Sequence, residues 1–279
     1  MKLAVAVAAK NAPESAFVVW RGIEESIRKA AGLGYHGIEL ALRSPQEVKT
    51  DKLARWLSRS SMEVSCISTG QVFSTEGLYF THPDPDIRNK VVTLFSDFIS
   101  LASDFGRMVN IGRVRGFVNG NQTLTEVTEL FYETLKKIMP IAEKANVVLV
   151  LEPVNRYETN FINSVEQAAT YLRVFDSENI GLMPDLFHMN IEDKQIGETI
   201  ARFGALVKYI HLADSNRYAP GMGHLDFDHV FKSLHEASFN GWVAIEILPF
   251  PDPDTAATQA AQFILPKIAR YNKTVEFSS

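Results

Sequence analysis

Residues 147–158 read Val-Val-Leu-Val-Leu-Glu152-Pro-Val-Asn155-Arg156-Tyr157-Glu158. An unbroken apolar run rich in valine is the signature of a strand buried on both faces, as in a parallel sheet covered by helices. A carboxylate follows at once, where the strand leaves the core. Burying an ionised carboxylate without a partner is very costly, so its position calls for one. The pattern recurs three times downstream. Residues 181–188 read Gly-Leu-Met-Pro-Asp185-Leu-Phe-His188, residues 207–214 read Val-Lys-Tyr-Ile-His211-Leu-Ala-Asp214, and residues 242–246 read Trp-Val-Ala-Ile-Glu246.

Outward from these four, short β-branched runs alternate with longer amphipathic segments, which predicts parallel strands linked by helices. Strands are expected over 3–7, 37–42, 64–68, 108–111, 147–153, 181–185, 207–212 and 242–247. Helices are expected over 23–31, ended by Gly32 and Gly34, and over 123–145, kinked at Pro140. Further helices are expected over 165–175, capped by Asn163 or Ser164, and over 230–237, capped by Asp226 or Asp228. Residues 71–85 are expected to form a loop over one end of the sheet. Eight strands and about eight helices in 279 residues predict an α/β fold, one (β/α)₈ TIM barrel spanning 1–279 as a single domain.

The bulk composition narrows the function by exclusion. The formal net charge is -5, which argues against nucleic acid as a partner, since clustered Lys and Arg would supply that affinity. A lone cysteine, Cys66, permits neither an intrachain disulfide nor a multi-cysteine zinc site and reads as a small buried hydrophobe. No apolar stretch approaches the ~20 residues that span a bilayer. The apolar run after Lys2 is at the short end for a signal peptide and reads as the first strand. A cytoplasmic protein without a membrane partner is expected.

In a TIM barrel the chemistry sits at the C-terminal ends of the strands. Glu152, Asp185, His211 and Glu246 occupy those ends on four consecutive strands. Three converging carboxylates repel one another, and a divalent cation among them removes both that repulsion and the burial cost. Oxygen-rich ligands with one imidazole suit Mn²⁺, Mg²⁺ or Co²⁺ better than structural zinc, with Mn²⁺ the first expectation. Each residue alone has a plainer reading: Glu152 in a rim ion pair with Arg156, Asp185 as a helix cap, His211 as a satisfied buried histidine, Glu246 as a solvated rim residue.

Glu-Pro-Val-Asn-Arg (152–156), Asp-Leu-Phe-His-Met-Asn (185–190), His-Leu-Ala-Asp-Ser-Asn-Arg (211–217), Pro-Gly-Met-Gly-His-Leu-Asp (220–226) and Glu246 together resemble the xylose-isomerase-like TIM barrels. Within them they are most similar to the D-tagatose 3-epimerase and D-psicose 3-epimerase group. The layout matches along the whole chain, and the motifs are sharp from Glu152 to Glu246. The resemblance implies that Glu152, Asp185, His211 and Glu246 ligate the metal and that Glu152 and Glu246 double as the acid–base pair. It also implies that Glu158, His188 and Arg217 hold substrate oxygens, that the substrate is a small sugar, and that the chain forms homodimers or homotetramers.

The expected reaction is 3-epimerisation of an unphosphorylated ketose or keto sugar by enediolate proton transfer. Inosose isomerase or dehydratase, hydroxypyruvate isomerase and 3-keto-glycoside epimerase are siblings on the same scaffold. A non-catalytic sugar-binding barrel is the alternative of another class, and a lost ligand would mark it. A multi-zinc phosphodiesterase would need histidines on the early strands, where Ile-Glu39-Leu and Val-Ser-Cys66-Ile stand instead. The loop after the last strand, Leu-Pro-Phe-Pro-Asp252-Pro-Asp254, makes a poor phosphate cradle, whereas Arg113 and Arg115 speak for an anion. Phe17 and Trp20 are expected in the core, Tyr157 and Tyr218 along the pocket.

Overall fold

The computed structural model describes residues 1–14 and 16–272. Eight parallel strands form the barrel: β1 (Lys2–Ala8), β2 (Gly37–Ala41), β3 (Glu63–Ser68), β4 (Met108–Ile111), β5 (Val148–Leu151), β6 (Ile180–Leu182), β7 (Tyr209–Leu212) and β8 (Trp242–Ile245). Their order is β6-β5-β4-β3-β2-β1-β8-β7. The ring closes between β6 and β7 through two isolated parallel bridges, Leu182 to Val207 and Asp185 to His211. A two-residue strand, Trp20–Arg21, pairs beside the end of β1.

Helices cover the outside: α1 (Ile23–Gly32), α2 (Thr50–Ser60), α3 (Gly70–Glu76), α4 (Pro85–Asp104), α5 (Leu124–Ala145), α6 (Val165–Leu172), α7 (Leu186–Glu192), α8 (Ile196–Phe203), α9 (Phe227–Glu236) and α10 (Pro253–Asn272). Their starts follow local chemistry. Thr123 accepts the Glu126 N–H while Glu126 reaches back to Thr123, a capping box that opens α5. Ser164 and Gln167 do the same for α6, and Asp226 accepts the His229 N–H at the start of α9. Helix α5 runs through Pro140 as one element. The segment 71–85 is not a plain loop: α3 occupies its first part and α4 begins at Pro85.

All eight strands fall where the apolar runs put them, but they end earlier than expected at β5, β6 and β8. Asp185 is therefore not in the ladder of β6; it lies three residues beyond. One layer of the barrel interior takes Ala4, Cys66, Val150 and Tyr209, one from each odd-numbered strand, as TIM barrels fill their centre. Gly37 at the start of β2 sits where a Cβ would meet the Glu63 carbonyl at 2.7 Å and the Trp242 ring at 2.8 Å. Only glycine lets β2 approach its neighbours so closely there. Between β2 and β3 the register slips after Ile38, and Ser65, passed over by the pairing, bonds the Ile38 carbonyl and the Tyr209 hydroxyl. Irregularities of this kind re-aim side chains near active sites, and the next residue on β2 is Glu39.

Candidate active site

Glu152 and Glu246 leave the ends of β5 and β8, His211 lies on β7, and Asp185 sits at the bridge that joins it to His211. One ligating atom from each of the four lies within 4.8 Å of those of the other three. Asp185 and His211 are fully buried, and Glu152 is nearly so. Asp185 Oδ1 accepts the Phe187 N–H at 2.7 Å and so caps α7. Its other oxygen, Oδ2, is buried with no hydrogen-bond partner. A buried carboxylate oxygen left without a donor is costly unless a cation faces it. The residues present therefore fit a divalent ion: three carboxylates, one imidazole and an orphaned oxygen among them.

His211 is oriented from behind. Its Nε2 lies 2.9 Å from Glu39 Oε2, and its Nδ1 lies 3.0 Å from Glu152 Oε1. With Nε2–H donated to Glu39, Nδ1 is the nitrogen that faces the cluster. A carboxylate behind a ligating histidine fixes its tautomer and raises its basicity. Asn110, fully buried on β4, donates to Glu152 Oε2 at 2.9 Å. Neither Glu39 nor Asn110 was expected in the site; the available signal was a lone polar residue inside an otherwise apolar strand.

The charges act strongly on one another. Burial pushes Glu152 up, but the His211 charge and hydrogen bond, His188 and Asn110 outweigh it and hold the carboxyl down at about 2. Burial raises Glu246 to about 8 and Asp185 to about 6 against the pull of His211 and Arg217. His211 is held well above its usual value because Glu39, Glu246 and Glu152 overcome its burial. Burial and the nearby Arg217 keep His188 well below its usual value, hence neutral.

The three expected substrate contacts also converge here. Arg217 Nη2 donates to Glu246 Oε2 at 2.8 Å, and its Nη1 lies 3.4 Å from Glu158 Oε1. The guanidinium is held between two rings, 3.8 Å from the Phe17 centroid and 4.8 Å from that of Phe187. Phe17 therefore belongs to the site and not to the core, a correction caused by its stacking on Arg217. Trp20 is buried as expected and donates its indole N–H to Asp254. His188 Nδ1 lies 2.7 Å from Asn155 Nδ2. Since Asn155 Oδ1 already accepts the Tyr157 N–H, the amide donates to Nδ1 and the His188 proton rests on Nε2. Nε2 faces Asp185 Oδ2 at 3.8 Å. Glu152, Glu158, His188, Arg217 and Glu246 line one cavity together with Phe17, Gln71 and Arg113.

Of the two arginines that argued for an anion, Arg115 is fully buried and donates to the carbonyls of Gly112, Phe161 and Ile162, so it serves the fold. Arg113 faces the cavity. Asp252 accepts the Thr255 N–H at the start of α10, and Asp254 binds Lys29 and Trp20. Tyr218 stacks on Phe250 and is not in the cavity wall, whereas Tyr157 stands exposed beside it. Arg156 pairs with Glu192 and not with Glu152.

A family profile described as the xylose isomerase-like TIM barrel matches residues 27–267, and the chain belongs to that family. It is 26% identical to a D-psicose 3-epimerase of Ruminiclostridium cellulolyticum over 224 residues, covering 79% of this chain and 76% of the relative. It is 32% identical to a 3-dehydro-D-guloside 4-epimerase of Escherichia coli over 114 residues, 41% of this chain and 44% of the relative. The solved structure of an L-ribulose 3-epimerase superposes with a TM-score of 0.82 at 23% identity, over 99% of this chain and 97% of that one. The relatives named are epimerases and isomerases, among them also a putative hydroxypyruvate isomerase of Drosophila melanogaster, 27% identical over 81% of this chain and 86% of that one.

Proposed function

We propose that this chain is a divalent-metal-dependent sugar epimerase or isomerase, acting on an unphosphorylated ketose or keto sugar by proton transfer through an enediolate at C3. The observation that carries the reading is the convergence of Glu152, Asp185, His211 and Glu246 within 4.8 Å, with Asp185 Oδ2 buried and without a hydrogen-bond partner. Sugar epimerases among its relatives support the substrate class.

The hard step is removal of a proton from carbon next to a ketone. Held by Glu152, Asp185, His211 and Glu246, a divalent ion, Mn²⁺ by preference, would supply Lewis-acid stabilisation of charge developing on the carbonyl oxygen, worth several kcal/mol. Glu152 and Glu246 are the two proton carriers, one removing the proton from the carbon beside the carbonyl, C3 in a 2-ketose, and the other returning one to the opposite face. Acid–base catalysis of this kind adds about 10²–10⁴ in rate. Asn110 holds Glu152 in place through its Oε2, and Arg217 holds Glu246 through its Oε2. Arg217 and His188 Nε2–H supply donors for the substrate oxygens, and Glu158 accepts from a hydroxyl. Phe17 and Phe187 keep the Arg217 fork from swinging away and exclude water from its faces.

The test is deuterium exchange in D₂O with Mn²⁺ and a panel of D-fructose, D-tagatose, a 3-keto-glucoside and an inosose, followed by NMR. Metal-dependent exchange at one carbon is expected, lost in Glu152→Gln and Glu246→Gln. Near-normal exchange in either variant with metal bound would overturn the assignment of the two carriers.

A further inference from the structure

Tyr209 lies two residues before His211 on β7, so both side chains project from the same face of the strand. Their rings meet edge to face, with centroids 5.7 Å apart. Tyr209 is fully buried in the interior layer that it forms with Ala4, Cys66 and Val150. A phenylalanine ring would fill that apolar layer as well, and a buried hydroxyl costs free energy unless it is bonded. The Tyr209 hydroxyl has two partners. Ser65 Oγ lies 2.6 Å from it. Glu39 is the other: burial, the Glu39 charge and a side-chain hydrogen bond to Glu39 push the phenol well above its usual pKa, so Tyr209 keeps its proton and donates.

Glu39 needs that donor. It is fully buried, and the Nε2–H of His211 stands 3.1 Å from its Oε1 and 2.9 Å from its Oε2. One N–H shared between two oxygens leaves a buried carboxylate short of donors and able to pivot. An O–H from Tyr209 supplies a second bond and removes that freedom. The register slip between β2 and β3 makes the arrangement possible. It passes over Ser65 between the pairs Ile38–Val64 and Glu39–Cys66. The Ser65 hydroxyl, 3.1 Å from the Ile38 carbonyl, then ties the Tyr209 oxygen to the backbone beside Glu39.

We propose that Tyr209 is a positioning residue of the candidate metal centre, with Ser65 as its anchor: the Tyr209 hydroxyl fixes Glu39, and Glu39 fixes the His211 ring with Nδ1 towards the cluster. This rests on the proposed metal-dependent reading and extends it to residues that never touch the ion. The chain Ser65–Tyr209–Glu39–His211 runs through the centre of the barrel, from an irregularity in the sheet to a ligand. None of its first three members lines the cavity that would take the substrate, so they act on the ligand and not on the sugar.

The test is a mutant cycle read by Mn²⁺ affinity in isothermal titration calorimetry. Tyr209→Phe keeps the ring and removes only the hydroxyl. It is expected to weaken Mn²⁺ binding about tenfold, the lower end of the effect of losing an outer-shell partner. In a Glu39→Leu background, which offers no oxygen to either neighbour, Tyr209→Phe is expected to weaken binding no further, because residues that act through one another are not additive. Two factors that multiply would show Tyr209 acting by packing alone and overturn the proposal. An unchanged Kd in Tyr209→Phe also overturns it, while Mn²⁺ binding by the wild type leaves the metal-dependent reading standing. A wild type that binds no Mn²⁺ overturns both. In the metal-free protein, NMR of nitrogen-15-labelled histidine reads the His211 ring directly. Tyr209→Phe is expected to move the His211 Nε2–H resonance, and an unmoved resonance overturns the proposal. Ser65→Ala is expected to change both readouts in the same direction by less. It decides the matter where Tyr209→Phe does not fold, since no change in either readout then overturns the relay.

Discussion

His211 shows how far a single side chain depends on what stands behind it. Its Nδ1 faces Glu152 at 3.0 Å, Glu246 at 3.8 Å and Asp185 at 3.9 Å, and only Glu39 holds the opposite nitrogen. Glu39 is fully buried and touches no solvent. Loss of a carboxylate behind a ligating histidine typically weakens metal binding about 10–100-fold. Glu39→Gln is therefore expected to weaken Mn²⁺ binding by that factor, measured by isothermal titration calorimetry, while circular dichroism shows the fold retained. An unchanged Kd would show that Glu39 does not orient the ligand. The four cluster residues were legible in the sequence because each follows an apolar run near the C-terminal end of a strand, and that regularity is itself a physical constraint. Glu39 and Asn110 were not, because one polar residue within an apolar strand gives no indication of the neighbour it meets across the barrel.

Among the elements, the loop after β7 depends most on one buried acid. Asp214 is fully buried, and its carboxylate accepts N–H groups from Ser215 at 2.7 Å, Leu225 at 3.2 Å and Gly221 at 2.8 Å. These bonds shape the turn that carries Arg217, whose backbone sits at φ 61, in the left-handed region. Gly221 has φ +91, with the Phe263 ring 2.8 Å from where a Cβ would stand. Arg217 pairs with Glu246 and Glu158, and Asp214 serves backbone N–H groups instead. Burial raises the Asp214 pKa, and the backbone hydrogen bonds of these three residues and Gly223 more than reverse that, leaving it below the usual 3.8. A depressed folded value contributes stability that is complete above the unfolded pKa and disappears as pH falls through the folded one. Asp214→Asn sets an amide donor against at least one of these N–H groups and is expected to cost about 1–3 kcal/mol at pH 7. Chemical denaturation should show the gap to wild type narrowing below about pH 4, where the wild-type carboxylate also takes up a proton. A gap that is independent of pH would mean that the charge of Asp214 is not what holds the loop. Helix α5 offers a simpler case: Thr123→Ala removes its capping box and is expected to lower stability by about 1 kcal/mol in the same experiment. Strand positions were readable from apolar runs, whereas the ends of β5, β6 and β8 were not, since the backbone leaves the ladder to aim ligands and no local residue pattern marks that departure.

At the scale of the whole molecule, the candidate metal centre sits on a sparsely paired line of the barrel. Seven neighbouring strand pairs share named ladders, but β6 and β7 meet through only two isolated bridges. Two hydrogen bonds reinforce that line, Lys208 N to the Leu182 carbonyl at 3.0 Å and His211 N to the Pro184 carbonyl at 2.9 Å. One of the bridges joins Asp185 to His211, so two of the four converging residues are themselves partners across the line. A cation held by Glu152, Asp185, His211 and Glu246 would tie the ends of β5 and β8 to the two sides of it. Binding to the folded state alone stabilises by mass action, about 2.7 kcal/mol with free ion at a hundred times Kd. For a chain of this size each kcal/mol raises Tm by roughly 2–4 °C. Calorimetry with Mn²⁺ is therefore expected to give a Tm several degrees above that with EDTA. Hydrogen exchange should slow most at residues 180–185 and 207–212, because the ion ties together the two sides of that line. Asp185→Asn keeps an oxygen for the Phe187 N–H cap but replaces the unpaired Oδ2 with an amide, and it should lose most of the Mn²⁺-dependent rise while its Tm in EDTA stays near or above wild type, freed of one buried charge. Equal Tm values with and without Mn²⁺ in the wild type would remove the cation from this site and leave the four residues as an internal ion-pair cluster.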